Sequence, residues 1–151
     1  MVERGGIFIG LGSNLGDRAR HIRDALGELA ADGDIRVVAC SRVHETEPVG
    51  GPPGQPRYLN AVAELATDLA PRDLLARLLE IERRHGRQRD VPNGPRTLDL
   101  DLLLYRDHVL DEPDLRVPHP RMWQRSFVME PLAEICELGD RPLAGQTARE
   151  V

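Results

Sequence analysis

Apolar positions along the chain switch between a period of two and a period near 3.6, and the switches predict strand, helix, strand, strand, helix, strand. Residues 6–11 are a short apolar run closed by the turn-forming Gly12-Ser13-Asn14, a first strand. Over residues 17–31, Ala19, Ile22, Ala25, Leu26 and Leu29 recur at helical spacing, with Ser13 or Asn14 available as cap and Asp32-Gly33-Asp34 as the stop. Residues 35–43 read as a strand. Residues 58–69 alternate apolar and polar and read as its antiparallel neighbour. Pro71 opens a second helix with Leu74, Leu75, Leu78 and Leu79 as its buried stripe, and Gly86 ends it. The most apolar strand, residues 98–105, closes the series. This order is the split βαβ, ferredoxin-like α+β arrangement: a central antiparallel sheet with helices packed on it. A proline-rich tail should hold short helices. We expect one domain over residues 1–151.

Two stretches interrupt the pattern. Residues 47–56 hold four prolines and three glycines, which forbids regular structure, and residues 87–97 are irregular and rich in arginine.

Charge sharpens the picture. The formal net charge is −5, against the basic excess expected of a nucleic-acid binder. All 20 basic residues are arginine, so neither a lysine Schiff base nor a P-loop lysine is available. Phosphate contacts would fall to Arg, His, backbone N–H or metal. No apolar run approaches the roughly 20 residues of a membrane span, and the N-terminus lacks a secretory pattern, so a cytoplasmic protein is expected. Cys40 and Cys136 lack metal-ligand spacing and read as small buried residues.

Asp99 and Asp101 carry the sharpest chemical signal. Strand period two puts both carboxylates on one face, about 7 Å apart, while Leu98, Leu100 and Leu102 fill the other. Slipping the register by one would bury both acids. Hard carboxylate oxygens suit Mg²⁺, and two such ions about 4 Å apart can clamp a transferring phosphate. Two solvent-facing acids would give the same pattern. Arg83, Arg84, Arg87, Arg89 and Arg96 crowd the approach to this strand and match a polyphosphate, or else a solvated helix end. Glu82 falls on or beside a buried helical stripe, where a carboxylate needs a partner. It either orients arginines and metal waters or pairs at an edge. His119 is held between Pro118 and Pro120, with Arg121 and Arg125 close behind, as a phosphate ligand or a structural residue. Tyr58, Asn60 and Phe127 could sandwich a flat heterocycle, or belong to core and edge. The first turn nearly matches the dinucleotide fingerprint, but a glycine arrives one position late and the strand order is wrong, so it reads as a plain strand-to-helix connection.

With these residues in hand, the sequence resembles the 6-hydroxymethyl-7,8-dihydropterin pyrophosphokinases of folate biosynthesis. The likeness runs from Gly12-Ser13-Asn14-Leu15-Gly16-Asp17-Arg18, through Glu45-Thr46-Glu47-Pro48-Val49-Gly50 and Tyr58-Leu59-Asn60, to Gly94-Pro95-Arg96-Thr97-Leu98-Asp99-Leu100-Asp101. It ends with Val117-Pro118-His119-Pro120-Arg121 and Arg125-Ser126-Phe127-Val128. The resemblance implies that ATP gives its β,γ-pyrophosphate to the pterin hydroxymethyl oxygen, releasing AMP. It further implies two Mg²⁺ ions on Asp99 and Asp101, with Arg87 and Arg89 on a catalytic loop. Glu82, Arg96, His119, Arg121 and Arg125 would surround the nucleotide, and Leu102 and Leu115 would line its adenine side. Thr46, Pro48, Val49, Tyr58, Asn60 and Phe127 would form the pterin pocket. Asn93, Asp90, His44 and Leu79 depart from residues common in the family, which bears on loop closure and on one adenine contact.

Three rival readings remain at this stage. A magnesium-dependent transferase with another acceptor would differ in acceptor selectivity. An RNA-binding module would need an aromatic pair for base stacking, which the first and last strands lack. A silent domain would bind nucleotide without turnover. The expected partners are the two small substrates, with no nucleic acid and no membrane, and the expected state is a monomer.

Overall fold

Burial is divided between the two faces of one antiparallel sheet. The computed structural model describes residues 6–47, 53–86 and 97–139, with side chains through residue 135. The elements are β1 (Ile7–Ser13), α1 (Arg18–Ala31), β2 (Ile35–Cys40), β3 (His44–Thr46), β4 (Tyr58–Thr67) and α2 (Pro71–Arg84). There follow β5 (Asp99–Tyr105), a small hairpin of β6 (Leu110–Glu112) and β7 (Leu115–Val117), a 3-10 turn (Met122–Gln124) and α3 (Ser126–Gly139). The main sheet has the order β2-β4-β1-β5, and β3 pairs with the early part of β4. Every neighbouring pair is antiparallel. The expected βαββαβ order is present, with β3 as an additional short strand.

One face of the sheet packs on α1 and α2. Ile22, Ala25 and Leu29 of α1 and Leu74, Leu78 and Ile81 of α2 meet Ile7, Ile9, Leu11, Ala63, Leu65, Leu98, Leu100 and Leu102. The α2 stripe therefore follows i, i+4, i+7 from Leu74, which rotates Leu79 outward to 39% exposure and leaves Leu75 half-buried. Ile81 takes the place expected of Leu79. On α1 the same geometry exposes Ala19. The cap of α1 is Asp17, whose carboxylate accepts the Arg20 N–H, and not Ser13 or Asn14, because β1 runs on through Ser13. At the other end of α2, Gly86 adopts φ +77°, the left-handed conformation that favours glycine past a helix end.

The second face packs on α3 and the 3-10 turn, where Met122, Val128, Met129, Leu132 and Ile135 cover Phe8, Val62, Leu103 and Leu104. The tail thus holds one 14-residue helix, longer than the short helices expected, and it tolerates Pro131 in its interior. Because α3 covers the sheet's far side, β4 is buried on both faces from Asn60 onward, and its apparent alternation does not mark a solvent face. Its one acid in the buried run, Glu64, is 1% exposed and accepts the Gly6 N–H at 2.9 Å. Cys40, expected to be buried, is exposed at the end of edge strand β2.

Candidate active site

The floor of the candidate site is built from missing side chains. Opposed residues in a sheet share a face, and the register sets Asn60, Gly12 and Asp99 in one row across β4, β1 and β5, and Val62, Gly10 and Asp101 in the next. The two glycines sink a trough between the amide and the carboxylates. A Cβ on Gly12 would lie 2.9 Å from Asn60 Oδ1, so any other residue there would displace that amide, while reaching ordinary contact with the Tyr58 ring at 3.5 Å. The trough opens into a cleft lined by β1, β3, β4, β5 and the start of α3. Arg125, just before α3, and Phe127 and Val128 of its first turn complete the lining.

Thr46, Glu47, Tyr58 and Asn60 form the wall opposite the acids. Asn60 is 7% exposed and donates through Nδ2 to Thr46 Oγ1 in a short hydrogen bond that fixes its amide orientation. Its Oδ1 then faces Gly12. The Arg125 guanidinium carbon stands 5.3 Å from the Phe127 ring centroid, a cation–π contact that leaves the cation at the cleft. Both acids are half-buried and lie on the cleft face of β5, while Leu98, Leu100 and Leu102 point into the core beneath. Among the described residues no third His, Cys or acid completes a metal cage around them. Two carboxylates on one strand face are hard oxygen ligands that could serve a cation which takes water and phosphate oxygens besides.

His119 belongs to the same neighbourhood. Its N–H donates to Leu103 O at 2.8 Å, which lays residue 119 along β5. Burial, reinforced by Arg125 and Arg121, pushes its imidazole below the ordinary histidine value, against the opposing pull of Asp99. The neutral ring accepts the Arg121 N–H at Nδ1 (3.3 Å), which assigns its proton to Nε2 and makes that atom a donor. Arg121 itself is exposed.

Three expected site residues lie beneath this cleft instead of in its lining. Glu82 is 1% exposed and accepts the Leu100 N–H at 2.6 Å, between the two aspartates in sequence. It holds β5 to α2 from below. Leu102 and Leu115 are 5% exposed, in the core shared with α1 and α2. Arg87, Arg89, Arg96, Pro48 and Val49, with the departures Asp90 and Asn93, fall outside the described residues.

The first turn serves the loop, as a connection should. Asn14 donates to Gln55 Oε1 (3.2 Å) and Pro56 O (3.1 Å), and Arg18 donates to Arg57 O (2.8 Å) and pairs with Glu45. What the sequence reading missed is the floor. Gly10 and Gly12 stand two apart inside an apolar strand, a spacing that marks close approach of another group to backbone.

Comparison with known proteins converges on one family. The sequence model of 7,8-dihydro-6-hydroxymethylpterin-pyrophosphokinase matches residues 8–137. A 2-amino-4-hydroxy-6-hydroxymethyldihydropteridine pyrophosphokinase of Pseudomonas aeruginosa is 46% identical over 135 residues, covering 89% of this chain and 82% of the relative. The protein of the same name from Bacillus subtilis is 45% identical over 130 residues, covering 86% and 77%. Among solved structures, a crystal structure of HPPK-DHPS in complex with substrates superposes with a TM-score of 0.71 at 12% identity. That match covers 97% of this chain and 42% of the solved one, and it speaks for the fold. The chain belongs to the 7,8-dihydro-6-hydroxymethylpterin-pyrophosphokinase family, the enzymes that place a pyrophosphoryl group on hydroxymethyldihydropterin in folate synthesis.

Proposed function

We propose that the cleft between Asp99/Asp101 and Thr46/Asn60/Phe127 is where this chain joins the two substrates. The observation that carries the reading is that a carboxylate pair and an aromatic–amide wall face one trough from opposite sides. Tyr58 and Phe127 offer ring faces to a flat pterin, and Asn60, its amide fixed by Thr46, presents a directed polar group to the heterocycle edge. Stacking there holds the hydroxymethyl group over the glycine floor toward the carboxylates, a positioning effect that can supply several kcal/mol of a transfer barrier.

On the other side, ATP brings more negative charge than Arg125 and Arg121 can offset beside two acids. Asp99 and Asp101 would hold the two Mg²⁺ ions, which neutralise phosphate charge and polarise the phosphoryl oxygens when bound. Arg125 stays cationic against Phe127 and reaches the cleft, and neutral His119 donates from Nε2. Arg87, Arg89 and Arg96 complete the cationic side in this reading, with Leu102 and Leu115 backing the adenine. Glu82 acts on the nucleotide through the strand that carries the two acids. Pro48 and Val49 extend the pterin wall. The reaction moves the β,γ-pyrophosphate to the alcohol oxygen and releases AMP.

We take residues 1–151 to be one domain, working as a monomer in the cytoplasm. Light scattering coupled to size exclusion should return one chain's mass.

The test is AMP formation from ATP and Mg²⁺, with and without 6-hydroxymethyl-7,8-dihydropterin, in wild type and in D99A/D101A. AMP that depends on pterin and vanishes in the double variant is the expected result. Unchanged turnover in the double variant would remove the carboxylates from the mechanism.

A further inference from the structure

The two walls of the cleft come from elements far apart in sequence. Thr46 ends β3, and Phe127 opens α3. Glu134 lies seven residues after Phe127, two turns along the same helix. Its Oε1 accepts the Arg42 N–H at 2.8 Å, and its Oε2 meets both Arg42 Nη2 at 3.3 Å and His44 Nε2 in a short contact. Arg42 and His44 lead into β3, where His44 pairs with Asn60 in the row that continues to Gly12 and Asp99. One residue of the helix thus grips the backbone two residues before the strand that carries Thr46 and a side chain within that strand.

We propose that Glu134 is a positioning residue that sets the separation between the Thr46–Asn60 wall and the Phe127 wall, and so the fit of the pterin. This rests on the cleft being the pterin site. The bridge is polar and held on one carboxylate, with 22% of the side chain exposed. Burial would push that carboxyl up, but the Arg42 N–H, the Arg42 guanidinium and His44 together hold it below the ordinary glutamate value. It is therefore ionised at neutral pH, where hydrogen bonds to a charged acceptor are the stronger kind. Removing the carboxylate leaves β3 attached to β4 through its ladder but detached from α3. The wall can then move relative to Phe127 without unfolding the sheet. In the proposed arrangement ATP takes the Asp99/Asp101 side, two strands away from β3 across β4 and β1.

The experiment is steady-state kinetics on E134A and E134Q, measuring KM for pterin at saturating ATP and KM for ATP at saturating pterin, with F127A as reference. Thermal melting confirms that each variant is folded. E134A should raise the pterin KM about tenfold, as the loss of charge-assisted hydrogen bonds would, while the ATP KM stays within about twofold. E134Q, which keeps an acceptor for the Arg42 N–H, should fall between. H44A should also raise the pterin KM, and H44A/E134A should be no worse than E134A alone, since both remove the same bridge. If F127A raises the pterin KM but E134A and E134Q leave it unchanged, the positioning role is wrong and the pterin site stands. Equal rises in both KM values would mean a general loss of structure and would overturn the proposal as well. If F127A itself leaves the pterin KM unchanged, the cleft assignment falls and takes this inference with it.

Discussion

Gly12 acts through the side chain it lacks. Its missing Cβ is what allows Asn60 Oδ1 to sit 2.9 Å from where that atom would be. Gly12→Ala should weaken pterin binding by about tenfold or more while lowering stability by roughly 1–3 kcal/mol, the range for overpacking a closed site. Isothermal titration with pterin, set beside a thermal melt, separates the two effects; pterin affinity equal to wild type would show that Asn60 relaxes freely. Glu82 works in the opposite sense, by supplying an atom. Its carboxylate satisfies the Leu100 N–H from beneath the acidic strand. Glu82→Ala should destabilise the fold by about 2–3 kcal/mol, the desolvation penalty of an orphaned buried donor together with a lost charged acceptor, read in urea unfolding. A loss under about 0.5 kcal/mol would mean that another group satisfies that donor.

The pattern of single elements was legible wherever one face is wet. The spacing of Leu74 and Leu78 and the 99/101 alternation of β5 gave α2 and the acidic face of β5 directly, since each shows one apolar side. Reading was least secure where both sides are covered or where the next turn decides. β4 lies between two cores, so its side chains carry no face information. The length of α3 was hidden by Pro131, which marks a helix break in most settings but here sits inside the helix. Ser13 and Asn14 are good cap residues for α1 in isolation, yet β1 consumes Ser13, and Asn14 bonds to the loop at Gln55 and Pro56. Asp17 takes the role, and Asp17→Ala should destabilise by about 1 kcal/mol. That is a fall in Tm of about 2–4 °C for a domain this size; Asp17→Asn, which keeps the acceptor oxygen, should recover most of it in the same melt.

Across the whole molecule, the site forms only when four strands and the helix α3 are in place, which explains why its residues were legible as types but not as a surface. The carboxylates, the histidine and the aromatics announced their chemistry in sequence; that Glu82, Leu102 and Leu115 sit below the cleft and not in its lining depends on packing that spacing does not encode. Acid should disclose how the long-range tie between α3 and β3 contributes to stability. Glu134 has its carboxyl depressed in the fold, so the unfolded chain binds that proton more readily. The contribution is complete above the ordinary glutamate range and is lost as pH falls through the depressed value. Thermal melts should therefore find E134Q less stable than wild type at pH 7 by about 1–2 kcal/mol, with the gap narrowing as pH falls below the ordinary glutamate range. A gap that stays constant would assign the effect to shape instead of charge. The glycine floor bears on a different matter, chemical inhibition. A compound seated over Gly10 and Gly12 would rest on backbone that presents no side chain to mutate away. An escape substitution at Gly12 would push Asn60 out of place, so resistance there would be won by damaging the enzyme's own recognition of its substrate.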